Sequence, residues 1–496
     1  WPDQDGPHRV VGVTLPGLPI MVIGSNGRVA WGLTDAYADT NDLVAVEVNA
    51  VAPSLYKLPG HDDLVAIETH RDVIQIKGGT TETVESRWTA WGPIIGADFR
   101  GRPLAHHRVA FDPAATNLEF QRLETARTSR EAIEIAHVSG IPAHNLIVAD
   151  DTGSIAWTIA GKIPQRTGFD GRLPVSWSFG DRRWTGYVAP AEIPTVANPP
   201  NGRLWTANNR LLGGPALATL GDGGYASPPR AAQIRDRLAS LEQASPPDFL
   251  ELQRDDRAVF LERWQQLILA TLTSDALAEK PARADFRRLV ERWEGRASVS
   301  SVSYRLVRNF RNAVADLTLG PIFAGCSALS PEFTWTRFNY EPALWKIIQE
   351  KPLHLLSPAY ASWNELLLAA IDRVEVDLTA EGVRLELATW GSRNRADLRH
   401  PFSRFLPGVL TRWLDLPADP LPGDANMPLI QGPSFGASMR LAVSPGHEEE
   451  GLFAMPGGES GHPLSPFYRA GHAAWVHGLP SRLLPGQTQH VLKLLP

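Results

Sequence analysis

Cysteine is almost missing from this chain: Cys326 is the one thiol in 496 residues. A lone cysteine excludes an internal disulfide framework and any cysteine-based zinc site. It leaves the compartment open. An excess of charge of one sign is missing as well. Lys and Arg total 48 against 54 Asp and Glu, a net charge of −6. With no basic stripe or Lys/Arg run, nucleic acid is not an expected partner. No uninterrupted stretch of about 18 apolar residues occurs, so no membrane span is expected. The opening, WPDQDGPHRVVGV, carries neither an initiator Met nor a signal peptide. It reads as the middle of a longer protein, and the closing TQHVLKLLP reads as a last strand.

What is present is ordinary globular material, 43% hydrophobic and 21% charged. It suffices for one large domain or two to three ordinary ones. Residues 1–230 read as strands and turns. A hairpin is predicted over 20–34 around Asn26-Gly27, and a second over 145–160 around Asp151-Thr152-Gly153. The two share similar arms, Val29-Ala30-Trp31 and Ile155-Ala156-Trp157, with no fixed repeat behind them. From about 229 to 318 the apolar period becomes helical, with Ile234, Leu238 and Leu241 on one face. Pro229 suits a first helical turn. Residues 341–373 read as helical again, and Gly- and Pro-rich strands return after about 425. The expected plan is a strand-rich part at 1–230, a largely helical insertion at 231–424, and strands at 425–496 that complete the core of one folded body.

Several short patterns carry possible chemistry. GPSFG at 432–436 matches the nucleophile-elbow pattern and nominates Ser434. The surrounding chain does not alternate strand and helix, and no Asp follows Asp424, so a chance match is the better reading. Histidines at 106, 107, 462, 472 and 477 lack the spacing of a helical zinc motif. DAYADTNDL clusters Asp39, Asn41 and Asp42 behind the first hairpin. Such oxygens suit a hard cation, which also takes ligands from distant segments, but a capped turn is the plainer reading. WTANNR at 205–210 offers paired amides, and an Asn N–H can stabilise a developing oxyanion. Taken alone, an Asn turn is the plainer reading there too. Arg230 opens a helix, where the helix dipole disfavours a cation.

In order and spacing, several segments together resemble the β-subunit of the penicillin acylase family of N-terminal-nucleophile hydrolases. They are PGLPIMVIGSNGRVAWGLTDAYADTNDL, NLIVADDTGSIAW, GRLPV, WTANNR, the helix start at Arg230, and GPSFGASMR with MPGGESGHPLSPFY. The resemblance runs over nearly the whole chain and implies an α+β fold, the four-layer αββα sandwich with a helical insertion. It implies that the backbone N–H of Asp35 and the side chain of Asn208 form an oxyanion hole, and that Arg230 borders the active site. By position, Ile23, Leu33 and His144 would line the acyl pocket. The family's one structural calcium per heterodimer maps onto Asp39, the carbonyl of Asn41, Asp42, the carbonyl of Gly171, and Asp222. The nucleophile of the family is a Ser that self-cleavage makes N-terminal, a few dozen residues upstream, so Trp1 is not that terminus. The chain is then expected to be an inactive fragment of a periplasmic or secreted zymogen. Its partner would be an α-subunit from the same precursor, and its substrate a small amide such as a β-lactam or an N-acyl-homoserine lactone. Two alternatives are a catalytically degenerate, acylase-like binding or scaffold protein, and a serine hydrolase using Ser434.

Overall fold

The computed structural model describes residues 2–3, 6–437 and 439–493. The expectation made at Trp1 therefore lies outside the described residues. So does the end of the expected last strand, and residues 488–493 before it are exposed and form no strand. The chain divides into two compact units, Trp1–Ala226 and Ser227–Pro496. The division falls near residue 230, where the strand-rich part was expected to end. The helical segment and the C-terminal segment share the second unit.

The first unit contains a six-stranded antiparallel sheet. Its order is Thr195–Ala197, Ile155–Ala160, His144–Asp150, Val29–Asp35, Ile23–Ser25, Val11–Val13. Both predicted hairpins lie in it. In the first, the Asn26 N–H donates to the Val29 carbonyl at 3.0 Å, so the two turn residues are Gly27 and Arg28 rather than Asn26 and Gly27. Gly27, at φ +90°, takes the first central position, where a type II′ turn requires glycine. Asn26 precedes the two central residues, and its Oδ1 accepts from the N–H groups of Arg28 and Val29 at 2.9 and 2.8 Å. Its buried amide donates to the carbonyls of Leu123 and Ala126 at 3.0 and 2.8 Å.

Residues paired across strands share a face, and alternate residues point to opposite faces. Trp31 pairs with Val148, whereas Trp157 pairs with Ile147. The two similar arms therefore bury their tryptophans on opposite sides. Trp31, Leu146 and Val148 pack with Ala132, Ile135 and Ala136 of helix Ser129–Val138. Trp157 and Ile159 pack with Ala36, Ile163 and Leu220. A five-stranded antiparallel sheet follows, ordered Asn41–Ala45, Pro103–Arg108, Gly92–Ala97, Glu82–Thr89, Glu68–Ile74. Val44 and Ala105 pack beneath Tyr56, Trp91 and Trp177, and the edge strand Glu68–Ile74 is exposed along its length.

The second unit is mostly helical. Ser301 and Ser362 cap its two longest helices, Val302–Leu329 and Trp363–Ala380, by accepting from the N–H groups of Tyr304 and Glu365. One core runs from Trp264 and Phe286 through Leu306, Phe310 and Val314 to Leu367 and Ile371. Helix Val302–Leu329 is long and apolar enough to cross a membrane by length and composition, with a mean hydropathy of 1.2 over its most apolar window. No unbroken apolar run announces it in the sequence, because small and polar residues are spread along it. Among the described residues of 425–496, expected to complete the core of the first part, the strands are Arg440–Ala442 and Leu452–Ala454, followed by helix His472–His477. The two strands form a sheet of their own. The prolines and glycines around them limit each strand to three residues.

Candidate active site

The site is built where strand Val29–Asp35 leaves the six-stranded sheet. The side-chain amide of Asn208 donates to the carbonyl of Asp35 at 2.9 Å, joining residues 173 apart in sequence. Asn208 is left-handed, at φ +64°, a conformation that non-glycine residues adopt at a cost and Asn adopts most readily. Its own carbonyl accepts from the Ala226 N–H at 2.9 Å, which fixes that turn. The two residues expected to supply oxyanion donors are thus neighbours.

Beneath them lies a polar network that sequence reasoning passed over. Asn145 is 2% exposed. Its amide donates to the Asp35 carbonyl and to Thr34 Oγ1, each at 3.2 Å, and its Oδ1 accepts from Trp157 Nε1 at 3.0 Å. Thr34 Oγ1 meets Thr206 Oγ1 at 3.1 Å. The Asp35 carbonyl therefore accepts from two separate amides, which orients the end of the strand. The available signal was a single amide in the apolar strand HNLIVAD, with a tryptophan placed to bond it.

The three expected pocket residues are not brought to one surface. Leu33 pairs with Leu146 and His144 with Asp35, which puts Leu33 and His144 on the sheet face covered by helix Ser129–Val138. Gly24 pairs with Trp31, so Ile23, one residue earlier, lies on the opposite face with Thr34 and Asn145. Pleat alternation separates them, and position along the chain does not reveal it. His144 bonds the Pro142 carbonyl through Nδ1 at 2.7 Å. Arg230 is half-buried in the first turn of helix Pro229–Ala239 of the second unit.

Asp39 and Asp42 are buried, at 7% and 4% exposure, and the group facing both is Arg166. Its Nη2 lies 3.0 Å from Asp39 Oδ1 and its Nε 2.8 Å from Asp42 Oδ2. Trp184 Nε1 donates to the same Asp42 oxygen at 2.6 Å. Burial raises the Asp39 carboxyl to about 6 against the pull of Arg166, with Asp42 adding to the rise. Burial likewise raises Asp42, with Arg166 opposing it. Asp222 is exposed, and its Oδ1 accepts from the N–H groups of Gly224 and Tyr225 in its own loop. Asn41 opens strand Asn41–Ala45, and Gly171 packs against Asp39. Among the described residues, no group of three or more His, Cys, Asp or Glu is placed to hold a metal ion. As placed here, the five expected ligands do not fit calcium. Their two central carboxylates already hold a cationic side chain, and the third is turned to its own backbone.

Ser434 is exposed within a bend closed by the Gly432 N–H on the Phe435 carbonyl at 2.7 Å. It does not sit on a strand-to-helix turn, so the elbow reading fails on geometry. His472 is buried between the Pro456 carbonyl and Asp419, a structural position.

Comparison with solved structures gives the class. The chain superposes on the thermostable penicillin G acylase from Alcaligenes faecalis with a TM-score of 0.68 and 18% identity, covering 99% of this chain and 93% of that one. Its fold is therefore that of the N-terminal-nucleophile hydrolases, of the α+β class, as expected. The penicillin amidase family model matches residues 3–486, and the chain belongs to that family. It is 26% identical over 484 residues to penicillin acylase 2 proenzyme of Pseudomonas sp. strain SE83, covering 94% of this chain and 60% of that protein. It is 25% identical over 530 residues to the acyl-homoserine lactone acylase QuiP of Pseudomonas aeruginosa, covering 95% and 61%. The chain thus spans about three-fifths of the length of these relatives.

Proposed function

We propose that the protein to which this chain belongs is an acylase that hydrolyses the amide between an acyl group and an amine-bearing nucleus. Penicillins and N-acyl-homoserine lactones, the compounds named for its relatives, are the classes to assay. The attacking hydroxyl comes from an N-terminal serine outside this sequence, with its own α-amine as base. It adds to the amide carbonyl, and its proton passes through the amine to the leaving nitrogen as the C–N bond breaks. Water then cleaves the acyl ester and releases the acid. The Asp35 N–H and the Asn208 amide hold the oxyanion in both steps. The observation that supports this reading is the Asn208 side chain fixed on the Asp35 backbone by a left-handed turn.

The test is Asn208→Ala in full-length protein already shown to be processed. Charge on the oxygen develops only towards the transition state, so kcat falls while KM changes less. The expected loss is on the order of 10²–10³-fold, the effect of removing one oxyanion donor. A folded, processed variant with near-normal kcat removes Asn208 from the mechanism.

A further inference from the structure

We propose that the guanidinium of Arg166 is the resident cation of the Asp39–Asp42 site, so that the loop after the first hairpin is tied down without a divalent metal. The inference is independent of the acylase reading.

Four features carry it. Arg166 engages both carboxylates, Asp39 through Nη2 at 3.0 Å and Asp42 through Nε at 2.8 Å, and Nη2 also donates to the Asp39 carbonyl at 3.1 Å. The side chain is 9% exposed, so the ion pair is formed away from solvent and its breakage leaves uncompensated charge. Secondly, the wall is shaped to the pair. A Cβ on Gly171, at φ +80°, would stand 2.6 Å from Asp39 Oδ2 and 2.8 Å from Arg166 Nε. A Cβ on Gly221, at φ +69°, would stand 2.5 Å from Asp39 Cβ. Thirdly, Trp184 supplies a further donor to Asp42 at 2.6 Å, and its ring lies 5.9 Å from the Arg166 guanidinium carbon. With Arg166 Nε on the same atom, Asp42 Oδ2 already accepts two N–H donors. Fourthly, Asp222 is committed to its own turn. Calcium asks for six to eight oxygens, and here the nearest ones already face a fixed positive charge that would repel it. The loop is thus joined to three other stretches, since Arg166 lies on strand Pro164–Thr167, Trp184 on Arg183–Tyr187, and the Asp39 N–H donates to the Leu220 carbonyl at 2.8 Å.

The experiment uses purified full-length protein. Metal analysis after dialysis against metal-free buffer is expected to find far less than one calcium per molecule, and melting is expected to be the same in a chelator as in millimolar calcium. One calcium per molecule, or a melting temperature that falls on chelation, overturns the proposal, because a ligand held only by the native state stabilises it. Arg166→Gln, melted in chelator, is expected to lose on the order of 5 °C or more. An unchanged melting temperature overturns the proposal equally. Should that variant not accumulate, the wild-type metal content and chelator response decide alone.

Discussion

Asn145 shows how much one buried amide can organise. Both of its N–H bonds and its carbonyl are engaged, with Asp35, Thr34 and Trp157. Truncation to Ala leaves the Trp157 indole N–H without its acceptor and removes one of two donors from the Asp35 carbonyl. A buried polar group stripped of its partner costs about 1–3 kcal/mol. Asn145→Ala should therefore lower the urea midpoint by a corresponding amount, and reduce kcat less than Asn208→Ala does, since it acts by positioning. Wild-type stability in this variant would show that the network is not tight. The contact between Asn208 and Asp35 was legible because their motifs resemble a known constellation. Asn145 was not, because its acceptor on Asp35 lies 110 residues away, and sequence order says nothing about which strands become neighbours. The same limit explains Arg166. The acidic cluster stands out in the sequence, but its cation lies 124 residues from Asp42.

Among the elements, the second hairpin carries a pH dependence of its own. Asp150 closes strand His144–Asp150 and is 6% exposed. Burial alone would raise its pKa. The Thr152 hydroxyl at 2.6 Å, with the N–H groups of Ser129 and Ser154, brings it down to about 2. The hairpin turn is thereby fastened to the first turn of helix Ser129–Val138, where negative charge is favoured. A folded pKa below the unfolded one gives stability that is present above about pH 4 and lost as pH falls towards about 2. That contribution is about 2 kcal/mol. Asp150→Asn should be less stable than wild type by about that much near neutral pH, with the gap closing in acid. Parallel melting curves at all pH values would remove this role. The hairpin itself was legible, since Asp-Thr-Gly between apolar arms specifies a turn. The exact turn of the first hairpin was not, because the Asn26 side chain that braces it is also held by the Leu123 and Ala126 carbonyls, 97 and 100 residues away.

On the scale of the whole molecule, the change from strand to helical period marked the division near residue 230, but it did not show which unit the last 70 or so residues join. Nor did it decide what helix Val302–Leu329 is for. Length and hydropathy would let it cross a membrane, yet its first half carries three arginines, each paired within the second unit. Arg305 bonds Glu381, Arg308 bonds Asp424, and Arg311 bonds Glu341. Between them Leu306, Phe310 and Val314 are fully buried in the helical core, with the Phe310 ring 6.2 Å from that of Trp264. Charges satisfied by partners nearby in the second unit, beside an apolar stripe at helical spacing, describe a core helix over that half. Beyond Pro321 the character changes, and Ile322 and Leu329 are exposed. The first half can be tested directly. Removing a buried phenylalanine side chain costs about 3–5 kcal/mol through lost burial and the cavity left behind. Phe310→Ala should therefore lower the urea midpoint of the protein in detergent-free buffer, with the slope unchanged if only stability is altered. If the midpoint does not move, Phe310 is not packed as described, and the helix must be seated some other way.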